Sequence, residues 1–419
     1  MERNDVADER SSTGEPLVSV ITPSYNHAAY ISETIESVLG QDYPAVEHIV
    51  VDGGSTDGTV GILRAYAERY PDRFRWVSEP DEGQSDAFNK GLELAHGTFI
   101  GWQNSDDYYY PNVFAEPIRH LIAHPDVAVV FSECQFVDEA GRVLGEWPAV
   151  GPFDYARLLE IDYIPNQATF VRRDAPLACG GLVKTLHYTM DYDLWLRLGL
   201  MHRIIYMPGV RGAMRVLPTA KTQANYYRNL QEQIATVENA LHDRLFPPQF
   251  RQRGHTSLLH RIFDAIVEAL LRGYDDDVAG LMQHLLRYDP ALSQWAYFIE
   301  RLLNLSAGYD DHGVDATIPM RAVTMLEQAG LAQTPYRHQL IALTHLYRSS
   351  QSRHLHLRRA TVSQAAHALT YDRWWLRHRI PQLMLLRLLL GPRTLSCIRI
   401  VARSFRLIYR NVVLRVLVD

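Results

Sequence analysis

Cysteine is scarce in this chain: Cys134, Cys179 and Cys397 stand far apart in 419 residues. That excludes a disulfide framework and the usual zinc spacings, and points to a reducing compartment. Long apolar runs are missing too. No uninterrupted stretch approaches the roughly 20 residues that cross a bilayer, so anchoring by a spanning helix is excluded. Residues 1–16 are polar and charged without the apolar segment of a signal peptide, and a disordered tail is expected there. The dinucleotide spacing Gly-x-Gly-x-x-Gly, the phosphate loop with Gly-Lys-Ser/Thr, the zinc motif His-Glu-x-x-His and the elbow Gly-x-Ser-x-Gly are all absent. Internal repeats and low-complexity tracts are absent as well.

Lysine is missing from the last part of the chain. From Arg337 onward there are 15 Arg, no Lys, and only Asp372 and Asp419 as acids, a net +13. The preceding 336 residues therefore carry −19 of the overall −6. Arg399, Arg403, Arg406 and Arg410 form one stripe at helical spacing, with Val401, Phe405, Ile408 and Val412 opposite. Such a helix suits the interface of an anionic membrane, and each basic residue there contributes about 1 kcal/mol. The same pattern also suits packing on the acidic body of the chain. Nucleic acid is not expected as a partner.

The first half carries an alternation of short apolar strands and amphipathic helices. Strands are expected at 17–22, 47–51, 73–77, 98–102, 127–131 and 168–171, with helices at about 28–39, 59–70 and 84–95. Alternation of this kind makes an α/β fold with a mostly parallel sheet flanked by helices. Ligands then bind beyond the carboxyl ends of the strands. Asn26, Asp52 and Asp107 all fall at such ends. Residues 223–336 read as successive amphipathic helices. The expected organisation is a catalytic region over 17–222, a helical region over 223–336 and a basic tail over 337–419.

The run Gln103-Asn104-Ser105-Asp106-Asp107 places two carboxylates just past the fourth strand, where they can hold a divalent cation against a diphosphate. Upstream lie Thr22-Pro23-Ser24-Tyr25-Asn26 and Asp52-Gly53-Gly54-Ser55-Thr56-Asp57-Gly58. Downstream comes Asp191-Tyr192-Asp193-Leu194-Trp195-Leu196-Arg197. In that order the four segments resemble glycosyltransferase family 2, over roughly the first half of the chain. The resemblance implies a GT-A fold and inverting transfer of a sugar from a nucleotide diphosphate. The acceptor would be a hydroxyl on a glycan or lipid-linked substrate, in cell-surface polysaccharide synthesis on the cytoplasmic face of the membrane.

The resemblance also assigns roles. Asp107 would hold Mn2+ or Mg2+, and Asp106 would assist at the ribose. Pro23, Tyr25, Asn26 and Asp52 would cradle the nucleotide. Asp86 and Lys90, four apart on one helix face, would reach the nucleotide or sugar, or else form a surface ion pair. Gln167 would touch donor or acceptor, and Arg215 with Lys221 would clamp the diphosphate. Asp191 would be the base: on a helix it shares a face with Leu194, Trp195 and Leu198, whereas Asp193 points away beside Arg197. Gly53 and Leu217 stand where many members have Asp and His, the Asp tending to contact uracil and the His able to complete the metal shell. Two other readings are a scaffold that binds nucleotide sugar without catalysis, and a sugar nucleotidyltransferase. The latter needs a Gly-rich basic loop after the first strand, which Ser24-Tyr25-Asn26-His27 is not.

Overall fold

The computed structural model describes residues 14–147, 150–217, 225–294 and 317–328 continuously, together with 2–3, 297–298, 301–302, 330, 337, 339–341 and 344. The chain divides after Leu258 into two compact units. The first is built on a sheet whose parallel half contains β2 (Val18–Ser24), β3 (Val46–Asp52), β4 (Phe74–Ser78) and β5 (Phe99–Trp102). Every residue of β2 and β3 is buried, as strands covered on both faces must be.

Three helices carry the chain between these strands: α1 (Ile31–Leu39), α2 (Thr59–Arg69) and α3 (Gln84–Leu94). Ile31 and Ile35 of α1 close with Leu63 of α2 over Val50, Phe74 and Trp76. Helix α3 covers the other face, where Gly91 lies directly on Ile21 and Val51. The core continues through Val18, Val20 and Phe99 to Phe114 and Phe170. Burial of such side chains contributes about 1.5–3 kcal/mol each.

The second half of the sheet is mixed. Strand β9 (Thr169–Arg172) runs antiparallel between β5 and β7 (Val127–Val137), and β10 (Arg203–Arg215) lies parallel to β7. Short strands β6 (Tyr108–Tyr109) and β8 (Val143–Glu146) pair antiparallel with β10 and β7, and β1 (Glu2–Arg3) pairs antiparallel with β4. The order is β1-β4-β3-β2-β5-β9-β7-β10-β6. Helices α4 (Ala115–Ala123), α5 (Tyr155–Glu160), α6 (Asp174–Ala178), α7 (Met190–Met201) and α8 (Tyr226–His242) complete the unit. The six expected strands occur within two residues of their expected starts, while β7 runs on to Val137. Strand β10 was not foreseen, because Pro208-Gly209 reads as a turn. The strand absorbs it as an irregularity, the register against β7 shifting between Tyr206 and Val210.

The second unit is helical where it is described. It takes in the end of α9 (Arg251–Arg272), then α10 (Asp275–Tyr288) and α11 (Thr317–Gln328). Ile262, Phe263, Ile266, Leu285 and Leu326 are fully buried in it. Asp264 accepts from Arg301 at 2.6 Å and from Tyr297 at 2.9 Å. Among the described residues no helix is long and apolar enough to cross a membrane. Lys221, the arginine stripe at 399–410 and most of the N-terminal polar segment lie outside the described residues.

Candidate active site

Parallel register sets Ser24, Asp52 and Ser78 side by side at one edge of the sheet. The segments that follow β2, β3, β4 and β5 therefore leave from the same side. Asp52 is fully buried at that edge, and its carboxylate serves its own turn. One oxygen accepts from the Gly54 and Ser55 amides (3.1 and 2.9 Å) and from Ser78 Oγ (2.7 Å); the other accepts from Ser55 Oγ. Asp52, expected to receive the nucleotide, has no exposed oxygen in this structure and braces the loop. Asn26 holds the left-handed backbone (φ 53°), and its side-chain oxygen accepts from the Thr56 amide at 2.9 Å. Pro23 is buried in β2, whereas Tyr25 is 61% exposed, its ring held out into solvent.

The acidic loop after β5 is braced from three directions. Thr34 of α1 donates to the carbonyls of Ser105 (3.1 Å) and Asp107 (2.7 Å), and His27 Nδ1 lies 2.6 Å from Ser105 Oγ. Asp107 is buried, and both its oxygens are engaged. Oδ1 accepts from the Arg215 amide, and Oδ2 from Asn104 Nδ2 and Gln167 Nε2, each at 2.8 Å. Burial, with the Asp106 charge beside it, pushes the Asp107 carboxyl up to about 7. Asp106 is half-buried, and its carboxylate has no hydrogen-bond or ion-pair partner among the described residues.

Arg215 is also occupied. Its guanidinium donates to the Asp106 carbonyl (2.7 Å), pairs with Glu33 (2.7 Å) and lies 4.9 Å from the centre of the Tyr30 ring. The expected diphosphate clamp is thus, in this structure, the residue that ties α1 to the acidic loop. Gln167, expected to touch substrate, is buried, with its amide spent on Asp107. Asp86 and Lys90 pair with each other at 3.2 Å. Asp86 also holds Lys184 (2.6 Å), and Lys90 holds Glu79 (3.0 Å). The ion-pair alternative describes their geometry.

Asp191 sits in the first turn of α7. One of its oxygens accepts from the Tyr192 amide at 2.9 Å, and the other has no partner among the described residues. Burial pushes its carboxyl up to about 6. Asp193 is buried and bound by Arg197 at 2.6 Å, and Trp195 is buried in the core. The segment before α7 packs against the start of α3, where Ser85 Oγ donates to the Leu186 carbonyl at 2.9 Å. The neighbouring Gln84 reaches Asn104 of the acidic loop at 2.8 Å. The loop holding Asp106 and the segment leading to Asp191 thus flank one helical turn.

Several residues that fix this site carry no local sequence signal. Glu232 of α8 accepts from the amides of His187 (2.9 Å), Tyr188 (2.7 Å) and Thr189 (3.3 Å), pinning the entry to α7 from more than 40 residues away. Thr34 acts through partners more than 70 residues away, and Gln84 and Asn104 meet each other across 20. Asp57 could have been found: an Asp two before Thr59 at a helix start is a capping pattern, and it accepts from the Thr59 and Ala28 amides.

The model of the family "Glycosyl transferase family 2" matches residues 19–172. The uncharacterized glycosyltransferase RP339 of Rickettsia prowazekii is 30% identical over 232 residues, covering 51% of this chain and 70% of that protein. The chain belongs to glycosyltransferase family 2. Its sheet with flanking helices is the family's GT-A fold, continued by the helical region. A putative teichuronic acid biosynthesis glycosyltransferase of Bacillus subtilis, TuaG, is 49% identical over 109 residues, 26% of this chain and 43% of that one. The mannosyltransferase PcManGT of Pyrobaculum calidifontis, solved with GDP-Man and Mn2+, is similar over 85% of this chain and 88% of its own, with 21% identity and a TM-score of 0.49. The chain spans less than two thirds of other curated relatives, including 29% of an uncharacterized glycosyltransferase of Rickettsia bellii and 60% of one from Rickettsia typhi.

Proposed function

We propose that this family 2 protein is an inverting glycosyltransferase that moves a sugar from a nucleotide diphosphate to a hydroxyl of a glycan or lipid-linked acceptor. The observation that carries the reading is Asp191: a carboxylate with one uncommitted oxygen, raised to about 6, at the start of a helix whose lead-in segment is held on the same turn of α3 as the acidic loop. A base works best when its pKa lies near the working pH. Its free oxygen takes the acceptor proton as the hydroxyl oxygen bonds to the anomeric carbon. The bond to the diphosphate breaks on the opposite face, which inverts that carbon.

Among the described residues no group of three or more His, Cys, Asp or Glu is placed to hold a metal ion. Mg2+ and Mn2+ do not need one, because one or two carboxylates, water and substrate phosphates suffice. Asp106 fits that pattern, its carboxylate being open. Asp107, expected as the ligand, has both oxygens committed, so we assign the metal to Asp106 and leave Asp107 as its brace. When bound, the cation neutralises the departing diphosphate. Leu217, buried where many members have His, adds no ligand.

The likeness to TuaG supports a role in cell-surface polysaccharide synthesis. The arginine stripe supports attachment to the inner face of the plasma membrane. The test is to incubate the full chain with UDP-, GDP- and dTDP-sugars, Mn2+ and an acceptor panel, measuring nucleotide diphosphate release and product anomeric configuration by NMR. Expected is a metal-stimulated product of inverted configuration. A retained configuration overturns the mechanism, and nucleotide-sugar binding without turnover leaves the scaffold reading.

A further inference from the structure

Gly53 leaves this chain without a side chain where many family members place an acid toward the nucleobase. The space is not empty. A Cβ built on Gly53 would lie 2.8 Å from Asp81 Oδ2 and 3.2 Å from Asp81 Cγ and Oδ1. A carboxylate from the segment after β4 thus stands beside the place vacated after β3. Oδ1 of Asp81 accepts from the Gly83 amide at 2.8 Å, which fixes the side chain, and Oδ2 has no hydrogen-bond partner among the described residues. The segment is itself anchored: the Glu79 amide donates to the Asp52 carbonyl at 3.0 Å, and Pro80 packs over Gly54. Asp81 is half-buried, and burial, opposed by the Gly83 amide and Lys90, holds its carboxyl above the usual range.

We propose that Asp81 reads the nucleobase of the donor, replacing from the next strand the acid missing at position 53, and selects bases that present a ring N–H. The proposal rests on the reading that the chain binds a nucleotide diphosphate sugar. A carboxylate only accepts hydrogen bonds. Uracil and thymine offer N3–H, and guanine offers N1–H with its amino group. Adenine and cytosine present a lone pair at the equivalent ring nitrogen, which faces the Asp81 oxygen unfavourably, and they can reach it only by shifting to donate from the exocyclic amino group. The exposed Tyr25 ring, leaving the same sheet edge, is available to stack on any of these bases.

Calorimetric titration of the full chain with UDP, dTDP, GDP, CDP and ADP in the presence of Mn2+ tests this. In the native protein at least one of the first three binds tenfold or more tighter than CDP and ADP, and the pattern identifies which ring N–H is read. Asp81→Ala lowers that affinity about 10- to 100-fold, the range for a hydrogen bond to a charged group, and leaves CDP and ADP binding unchanged or tighter. Gly53→Ala, whose new methyl group displaces the Asp81 carboxylate, narrows the preference in the same direction. It serves as the second variant should Asp81→Ala fail to fold by circular dichroism melting. Equal binding of all five nucleotides, or an undiminished preference in both folded variants, overturns the assignment while leaving donor binding intact. Binding of none of the five by the native protein sinks the donor reading together with it.

Discussion

Asp191→Asn is the perturbation that bears most directly on the chemistry. The amide keeps the shape of the side chain and removes its capacity to take a proton. General-base assistance is worth roughly 10²–10⁴ in rate, so kcat should fall by about that factor while the donor KM stays nearly unchanged. The pH profile gives a sharper number. With the carboxyl near 6, about one tenth is ionised at pH 5 and about nine tenths at pH 7, so kcat/KM drops about tenfold between them. A carboxyl at the ordinary value of about 3.9 would lose less than about a tenth over that range. Stability runs the other way. The native pKa lies above the unfolded one, so this group's contribution is complete below about pH 4 and is lost as pH rises through about 6. Asp191→Asn should therefore melt higher than the parent at pH 8, with little difference at pH 4. A continuous assay of nucleotide diphosphate release from pH 4.5 to 8.5 and scanning calorimetry on both proteins provide the measurements. An acid limb near 4, or full activity in the Asn variant, would refute Asp191 as the base.

The two neighbouring acids should separate. Asp106→Asn should weaken Mn2+-dependent nucleotide binding at least tenfold with an unchanged melting temperature. Asp107→Asn puts an amide N–H2 in place of one carboxylate oxygen, facing it toward at least one of the three donors there, and should cost about 1–3 kcal/mol of stability by denaturant titration; the reverse pattern restores Asp107 as the metal ligand. Gly212→Ala would set a methyl group 2.1 Å from the Gln167 carbonyl oxygen, a backbone atom with little room to yield. Overpacking of this kind typically costs about 1–3 kcal/mol, and an unaltered melting temperature would contradict it. Deleting the chain after Thr370 should release the protein from vesicles containing anionic lipid in a flotation assay, and unchanged flotation would eliminate the interfacial helix.

The parallel half of the sheet was legible because β2 through β5 are short β-branched or aromatic runs separated by amphipathic helices, a pattern set by local sequence. The direction of β9 was not, since nothing within Thr169–Arg172 says which neighbours it will meet. Strand β10 was hidden by Pro208-Gly209, whose local preference for a turn is overridden by pairing along β7. At the site, sequence reasoning names the segments, and the structure adds the hydrogen bonds within and between them. Asp106 and Asp107 are told apart in the sequence only by the family resemblance. What separates them is the Arg215 amide and the Gln167 side chain, 108 and 60 residues away, which commit one carboxylate and leave the other open. Asp52, expected as a ligand contact, braces its own turn through Gly54 and Ser55 and ties it to Ser78. The value of Gly53 emerged only when Asp81 was placed beside it.

Glu232 gives the fold a minimum length. The family model ends at residue 172, yet the three amides that this side chain gathers belong to the lead-in of the helix bearing Asp191. A fragment trimmed at about 222 would keep every strand and both neighbouring acids of the β5 loop while cutting the strap that seats Asp191. Such a piece should still take up nucleotide but turn over slowly, and the shortest competent version must extend past His242.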